Sequence, residues 1–293
     1  MTFEPGLSGG HVQRTFANRD DRNGYGIAVT RIKVRGTQSI RRATLIMKAI
    51  ATHNHEGIRL TDLSQNLPID RTTIYRIVKS LVEEQFITQD PGTKRLYLGQ
   101  TLFELGIAAA PRFNLRDLFQ PILARIAEKT GDAVLLNIRS GNEYVCIERK
   151  QGAYPVRVYT LNVGERRPLG NSASGIAILS ALSDEEVRRV MSENEAELVK
   201  YKNRPLRAKK LIEAIRQTRE KGYAVYYSDL ADIRAVAIAV NGRKGMPFAA
   251  ISVTAISSRM TDSRQREIAK LLKLGAGELE KLLSEQDMSA SLP

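Results

Sequence analysis

The stretch from Asp70 to Val82, DRTTIYRIVKSLV, gathers Arg71, Thr72, Thr73, Tyr75, Arg76 and Lys79. Each offers a hydrogen-bond donor on a hydroxylated or long cationic side chain, and none is acidic. Groups of this kind contact phosphate oxygens and base edges. Ile74, Ile77, Val78, Leu81 and Val82 follow the i, i+3, i+4, i+7, i+8 spacing of a helix with one buried face, which leaves the donors together on the other face. Taken alone, the pattern also suits an ordinary helix with a solvated cationic surface. A second stretch, PLGNSASG, runs into an apolar segment that reads as a helix. Exposed N–H groups and the positive end of a helix dipole at such a turn can seat a carboxylate. Small side chains there can equally serve tight packing.

Combinations able to catalyse a reaction are sparse. His11, His53 and His55 all fall before residue 60, and the C-terminal two thirds of the chain has no histidine. Cys146 sits between Val145 and Ile147 and reads as a core residue. Ser–His, Cys–His and histidine-based metal sites are therefore excluded from that part. GERRPLGNSASG lacks the lysine of a phosphate-binding loop. No metal or cofactor is expected. A small-molecule enzyme of unknown type fused to a DNA-binding domain stays open as the alternative function: a carboxylate or carboxylate-metal site is not excluded, although no pair of acids stands out.

The elements that position the donors can be read outward from Asp70. Asp70 is an N-cap, and Ile69 and Ile74 form a hydrophobic staple around it. Upstream, Ile40, Ala43, Met47 and Ile50 predict a helix capped by Ser39 and ended at Gly57. Leu60, Leu63 and Leu67 predict a second, short helix, and the turn at Pro68 then leads into the donor-bearing helix. Two helices joined this way form a helix-turn-helix. FITQDPGTKRLYLG alternates around Pro91 and Gly92, which suit positions i+1 and i+2 of a type II turn between strands 86–89 and 95–98. The hairpin makes the unit a winged helix, with Lys94 and Arg95 placed to meet the DNA backbone or a minor groove.

From Thr101 a helix runs to Pro111, and a second one carrying Leu115, Leu118, Ile122, Leu123 and Ile126 ends at Gly131. Strands are then expected at AVLLNIRS, NEYVCIER, YPVRVYTL, GYAVYYS, IRAVAIAV and FAAISVTAI. Helices are expected from Gly175, from Asp184 to Met191, from Ala208 to Lys221 and from about Thr261. The fold class is α+β in two domains, the second an antiparallel sheet covered by helices. The divisions are a disordered tail at 1–36, a winged helix-turn-helix at 37–100, a linker helix region at 101–120, an effector domain at 121–286 and a tail at 287–293.

The chain of 293 residues carries a net charge of +13, which suits a polyanionic partner. Residues 1–100 hold 15 basic and 9 acidic residues, so the DNA-binding part is only moderately basic. That suits base readout with phosphate support better than nonspecific packaging of DNA. A single cysteine rules out an intrachain disulfide and fits a reducing cytoplasm. No run approaches the ~18 apolar residues of a membrane span, and the N-terminus lacks a signal-peptide core. A cytoplasmic protein without a membrane partner is expected.

Five segments together resemble the IclR family of bacterial transcription regulators: TQSIRRATLIMKAI, LTDLSQNLPIDRTTIYRIVKSLVEEQFITQDPGTKRLYLG, RRPLGNSASGIAILSAL, RQTREKGYAV and AISVTAISSRMT. The resemblance runs from about Thr37 to Leu283 and rests on their order and spacing. It implies a winged helix-turn-helix, a linker helix and a GAF-like effector domain. It also implies double-stranded operator DNA and a small organic acid effector as partners, and assembly as a dimer or tetramer. Transferred by motif, the effector pocket comprises Leu169, Ala173 and Ser174 at the small-residue turn, Tyr226, Ile233 and Ala235 on two strands, and Ser252 and Thr254 on a third. Three departures stand out. Tyr226, with Asp229 beyond it, replaces an acidic residue of many relatives, Ala235 a cysteine and Gly170 a histidine. The pocket is therefore expected to be less polar and differently shaped.

Overall fold

The computed structural model describes residues 37–110, 115–158, 160–200, 208–228, 232–242 and 245–285. The expected tails, Pro111 and Asp229 lie outside these residues.

The N-terminal unit contains α1 (Gln38–Thr52), α2 (Leu60–Asn66), α3 (Arg71–Glu83) and a hairpin of β1 (Ile87–Gln89) with β2 (Leu96–Leu98). Ile46, Ile50, Leu63, Ile74, Ile87 and Leu96 are wholly buried in its core. Asp70 caps α3 as its position predicts, accepting the Thr73 N–H at 2.8 Å. Such a cap contributes about 0.5–2 kcal/mol. Ser39 does not cap α1. The helix begins one residue before it, and Thr37 occupies the N-cap position.

The wing turn differs from the expected type II turn. Gly92 has no positive φ, whereas Lys94 has φ +58°. Asp90 Oδ1 accepts both the N–H and the hydroxyl of Thr93 at 2.6 Å, and the Lys94 N–H reaches Asp90 O at 2.9 Å. The aspartate side chain thus closes a longer loop and overrides the Pro-Gly signal. Ile58 adds a third segment by pairing with Leu96 in both directions.

Helix α4 (Gln100–Ala109) follows and buries no residue. Helix α5 (Leu115–Thr130) already contributes Leu115 and Phe119 to the second core, so the 120/121 division falls inside a helix. Six antiparallel strands then form one sheet in the order β5-β4-β3-β8-β7-β6. They are β3 (Ala133–Ser140), β4 (Glu143–Lys150), β5 (Arg166–Pro168), β6 (Ala224–Ser228), β7 (Ile233–Asn241) and β8 (Pro247–Ile256). Successive side chains leave opposite faces. Leu136 and Val253 point toward α5 and α9 (Asp262–Glu285), whereas Leu135 and Ala237 point toward α6 (Ala173–Ser180) and α8 (Ala208–Lys221). Helix α7 (Asp184–Lys200) extends well past the expected end at Met191.

The expected strand at YPVRVYTL is not formed by its described residues, and the edge position beside β4 belongs to β5. Pro155 has no N–H to give a ladder. Tyr154 N–H bonds Gly131 O at 2.9 Å, and a Cβ on Gly152 would lie 2.1 Å from Gly131 C. The segment is held against the α5–β3 corner instead.

Candidate effector cavity and DNA-facing surface

The sheet face under α6 is paved with small side chains in register. Ala235 pairs with Thr254, Ala237 with Ser252, and Ala239 with Ala250. So little volume on facing strands leaves a cavity of about 190 Å³. Leu135 and Asn137 of β3, Ser252 and Thr254 of β8, and Ile233 and Ala235 of β7 line its floor. Tyr226, Tyr144 and Arg167 wall it, and the turn from Asn171 to Ser174 closes it on the helix side.

The turn is shaped by glycine at two points. Gly170 has φ +103°, and a Cβ there would meet Leu211 Cδ2 at 2.8 Å. A Cβ on Gly175 would lie 2.8 Å from Gly170 N. Small residues here therefore serve packing and also open the helix end. Ser172 caps α6 by accepting the Gly175 N–H at 3.0 Å, and its carbonyl takes the Ile176 N–H. The N–H groups of Ala173 and Ser174 have no partner among the described residues, and both residues are buried at the cavity. They are two of the orphan donors that every helix start exposes.

The side chains around the cavity are incompletely paired. Asn137 Nδ2 donates to Ser174 Oγ at 2.9 Å, but Asn137 Oδ1 has no partner. Both amide atoms of Asn171 are likewise unpaired. The two residues are each 2% exposed. Arg167 gives one hydrogen bond, to Thr160 O at 2.6 Å. Burial pushes the Tyr144 phenol above its ordinary pKa. Cys146 is wholly buried outside the cavity, and burial pushes its thiol up to about 12, far from the thiolate a nucleophile needs. No cluster of metal-ligating side chains occurs among the described residues.

Ala173, Ser174, Tyr226, Ile233, Ala235, Ser252 and Thr254 thus surround one space. Leu169 does not line it. It packs beneath the turn, with its carbonyl accepting from Asn194 at 3.2 Å. Asn137, Tyr144, Arg167 and Asn171 add polar side chains to the lining from β3, β4, β5 and the turn. The amide of Asn137 inside the apolar run AVLLNI was a visible signal, and a β-bulge between Leu136 and Asn137 marks the spot. Arg167 carried no signal of its own.

On the N-terminal unit, Arg71, Thr72, Tyr75, Arg76 and Lys79 are exposed along α3. Thr73 is half-buried and committed to Asp70, whose carboxyl its hydrogen bonds hold below the usual range. Lys79 stands 3.9 Å from Glu83 in an exposed pair of little energetic weight. At the wing, Lys94 is exposed, whereas Arg95 Nη1 donates to Glu56 O at 3.2 Å and Gly57 O at 2.6 Å. Arg95 therefore fastens the wing to the turn that follows α1, and Lys94 is exposed beside it. A second cavity, of about 170 Å³, lies between this unit and β5, with His53, His55 and Glu56 on one side and Glu165, Arg166 and Arg167 on the other. Arg167 borders both cavities.

Comparison with known proteins agrees with both units. Residues 39–91 match the IclR helix-turn-helix domain, and residues 107–280 match the family described as bacterial transcriptional regulator IclR C-terminal. The HTH-type transcriptional regulator KipR of Bacillus subtilis (strain 168) is 28% identical over 74% of this chain and 86% of its own length. The crystal structure of an IclR transcriptional regulator from Alicyclobacillus acidocaldarius superposes with a TM-score of 0.66 at 26% identity, over 83% of this chain and 97% of that one. An IclR homologue from Microbacterium hydrocarbonoxydans, crystallised with 4-hydroxybenzoate, shares the fold at 18% identity and a TM-score of 0.60, over 84% and 99% of the two chains. With a winged helix-turn-helix at one end and the matched C-terminal domain over more than half its length, the chain belongs to the IclR family of DNA-binding transcriptional regulators.

Proposed function

We propose that this regulator grips operator DNA through α3 and the wing, and that a small organic acid under α6 sets the strength of that grip. The observation that carries the reading is the cavity itself. It is lined by Arg167, by Ser252 and Thr254 and by the start of α6, where the N–H groups of Ala173 and Ser174 have no partner among the described residues, in a chain that also presents a donor-covered recognition helix. A guanidinium and a helix N-terminus bordering one space suit an anionic ligand. The 4-hydroxybenzoate held by the Microbacterium homologue supports a carboxylate as occupant. Arg71, Thr72, Tyr75 and Arg76 reach base edges or flanking phosphates, and Lys94 contacts the backbone. Arg167 couples the two ends, since a ligand that draws on its guanidinium also changes the surface facing His53 and His55.

A single winged helix covers one half-site, so specific binding requires a two-fold assembly on a pseudo-palindrome. The exposed side chains Phe103, Leu105 and Ile107 of α4 are the contact we assign to it. Light scattering of the full chain on a duplex from its own upstream region should show a dimer or tetramer that prefers this duplex over a scrambled one. A monomer binding at full strength, or equal affinity for both duplexes, contradicts the reading.

A further inference from the structure

Resting on the effector reading above, we infer that Glu56 is the counter-charge of Arg167 across the cleft between the two units, and that this pair relays the state of the effector cavity to the wing. The cleft is walled by both signs of charge, with Glu56 on the turn after α1 and Glu165, Arg166 and Arg167 at β5. Walls of mixed sign suit each other better than they suit a free anion. Most of these charges are already committed. Arg166 pairs with Glu143 Oε2 at 3.0 Å and donates to Ser140 Oγ at 2.8 Å. Glu165 accepts the Asn162 N–H at 2.6 Å. Glu56 and Arg167 are the exceptions. The Glu56 carboxylate makes no hydrogen bond or ion pair among the described residues. Arg167 commits one nitrogen, Nη2, to Thr160 O.

The turn that carries Glu56 is fixed to the wing. Arg95 Nη1 bonds Glu56 O and Gly57 O, and the Tyr97 hydroxyl donates to Glu56 O at 3.3 Å. The Leu98 N–H donates to Asn54 Oδ1 at 2.7 Å, and Ile58 pairs with Leu96. A displacement of the turn is therefore passed to β2 and, through it, to Lys94. At the other end, Arg167 borders the effector cavity. An acid that draws the guanidinium into the cavity weakens its hold on Glu56, because one cation then divides its attraction between two anions. Cavity and wing thus bias one shared contact, which is the physical requirement for coupling between distant sites.

A double-mutant cycle on operator affinity, run on the full chain without any acid, tests the pair. Glu56→Gln and Arg167→Gln should each move the affinity about twofold to fivefold, in the same direction, the range of a solvent-exposed ion pair. The double variant should move it no further than either single one, because each change alone already breaks the pair. Arg167→Lys keeps the charge and should recover most of the wild-type affinity. Exchanging the two charges, with Glu56→Arg and Arg167→Glu together, should also return the affinity toward wild type. A Glu56→Gln effect that is unchanged in the Arg167→Gln background would mean that Glu56 acts on the DNA directly, and the inference would fail. Wild-type affinity in every variant overturns it as well. The cycle contains no acid, so its failure leaves the effector reading standing. Coupling in the cycle, with a wild-type operator affinity indifferent to every acid the chain binds, overturns the effector reading and the relay with it.

Discussion

Replacing Ala173 by Leu is expected to leave operator binding at wild-type strength and to abolish its response to effector. Ala173 opens α6, is 1% exposed, and lines the cavity, and its N–H has no partner among the described residues. A leucine side chain there fills the space a carboxylate would take. The DNA-binding unit has a separate core around Ile46, Ile74 and Leu96, so its fold does not depend on this site. A ligand shifts a conformational equilibrium only through unequal affinity for the two states, so blocking its seat removes the whole coupling. Coupling of this kind is typically about 1–3 kcal/mol, or roughly a 5- to 150-fold change in affinity. If Ala173 were only a packing residue, overfilling would cost about 1–3 kcal/mol of stability and lower the melting temperature of the effector domain. Melting and operator titration of the same preparation separate the two cases. Ala235→Leu, which intrudes from the sheet side, provides an independent second variant. Wild-type melting with a wild-type effector response in both variants would place the ligand elsewhere.

Arg76→Ala is the second large effect. Arg76 is exposed on the outer face of α3, one turn after Thr72. No described ion pair or hydrogen bond holds it, so its guanidinium is available to a guanine edge, the commonest specific contact in the major groove. The substitution should cost roughly 1–3 kcal/mol on the operator and much less on random sequence. Competition binding against both duplexes gives the difference directly. Equal losses on both would assign Arg76 to phosphate contact instead.

Periodicity made the helices legible, because burial on one face imposes spacing on the sequence. Ala208–Lys221 emerges with the expected bounds, and Asp70 caps α3 as its position predicts. Features decided by a side chain's particular partner were not legible. The Pro91-Gly92 pair suggested one turn, and the Asp90 side chain imposed another. The bonds from Arg95 Nη1 to two carbonyls about forty residues earlier are revealed by no local pattern. YPVRVYTL had the composition of a strand, but Tyr154 had already found its partner at Gly131. Around the cavity, the motif positions on β6, β7 and β8 lie with Ala173 and Ser174, Leu169 lies outside, and Tyr144 and Arg167 join from β4 and β5. Their place in the lining follows from the strand order and not from a motif in the nearby sequence.

The central claim is that the acid cavity and the DNA-binding face share one equilibrium. Fluorescence anisotropy of the full chain on a labelled duplex from its own upstream region, with and without a saturating small organic acid, tests it most directly. The account predicts an operator affinity that moves by about 5- to 150-fold, in either direction, with the acid recovered chemically unchanged. An acid that binds the protein while the operator affinity stays constant, or one that is consumed, would contradict it.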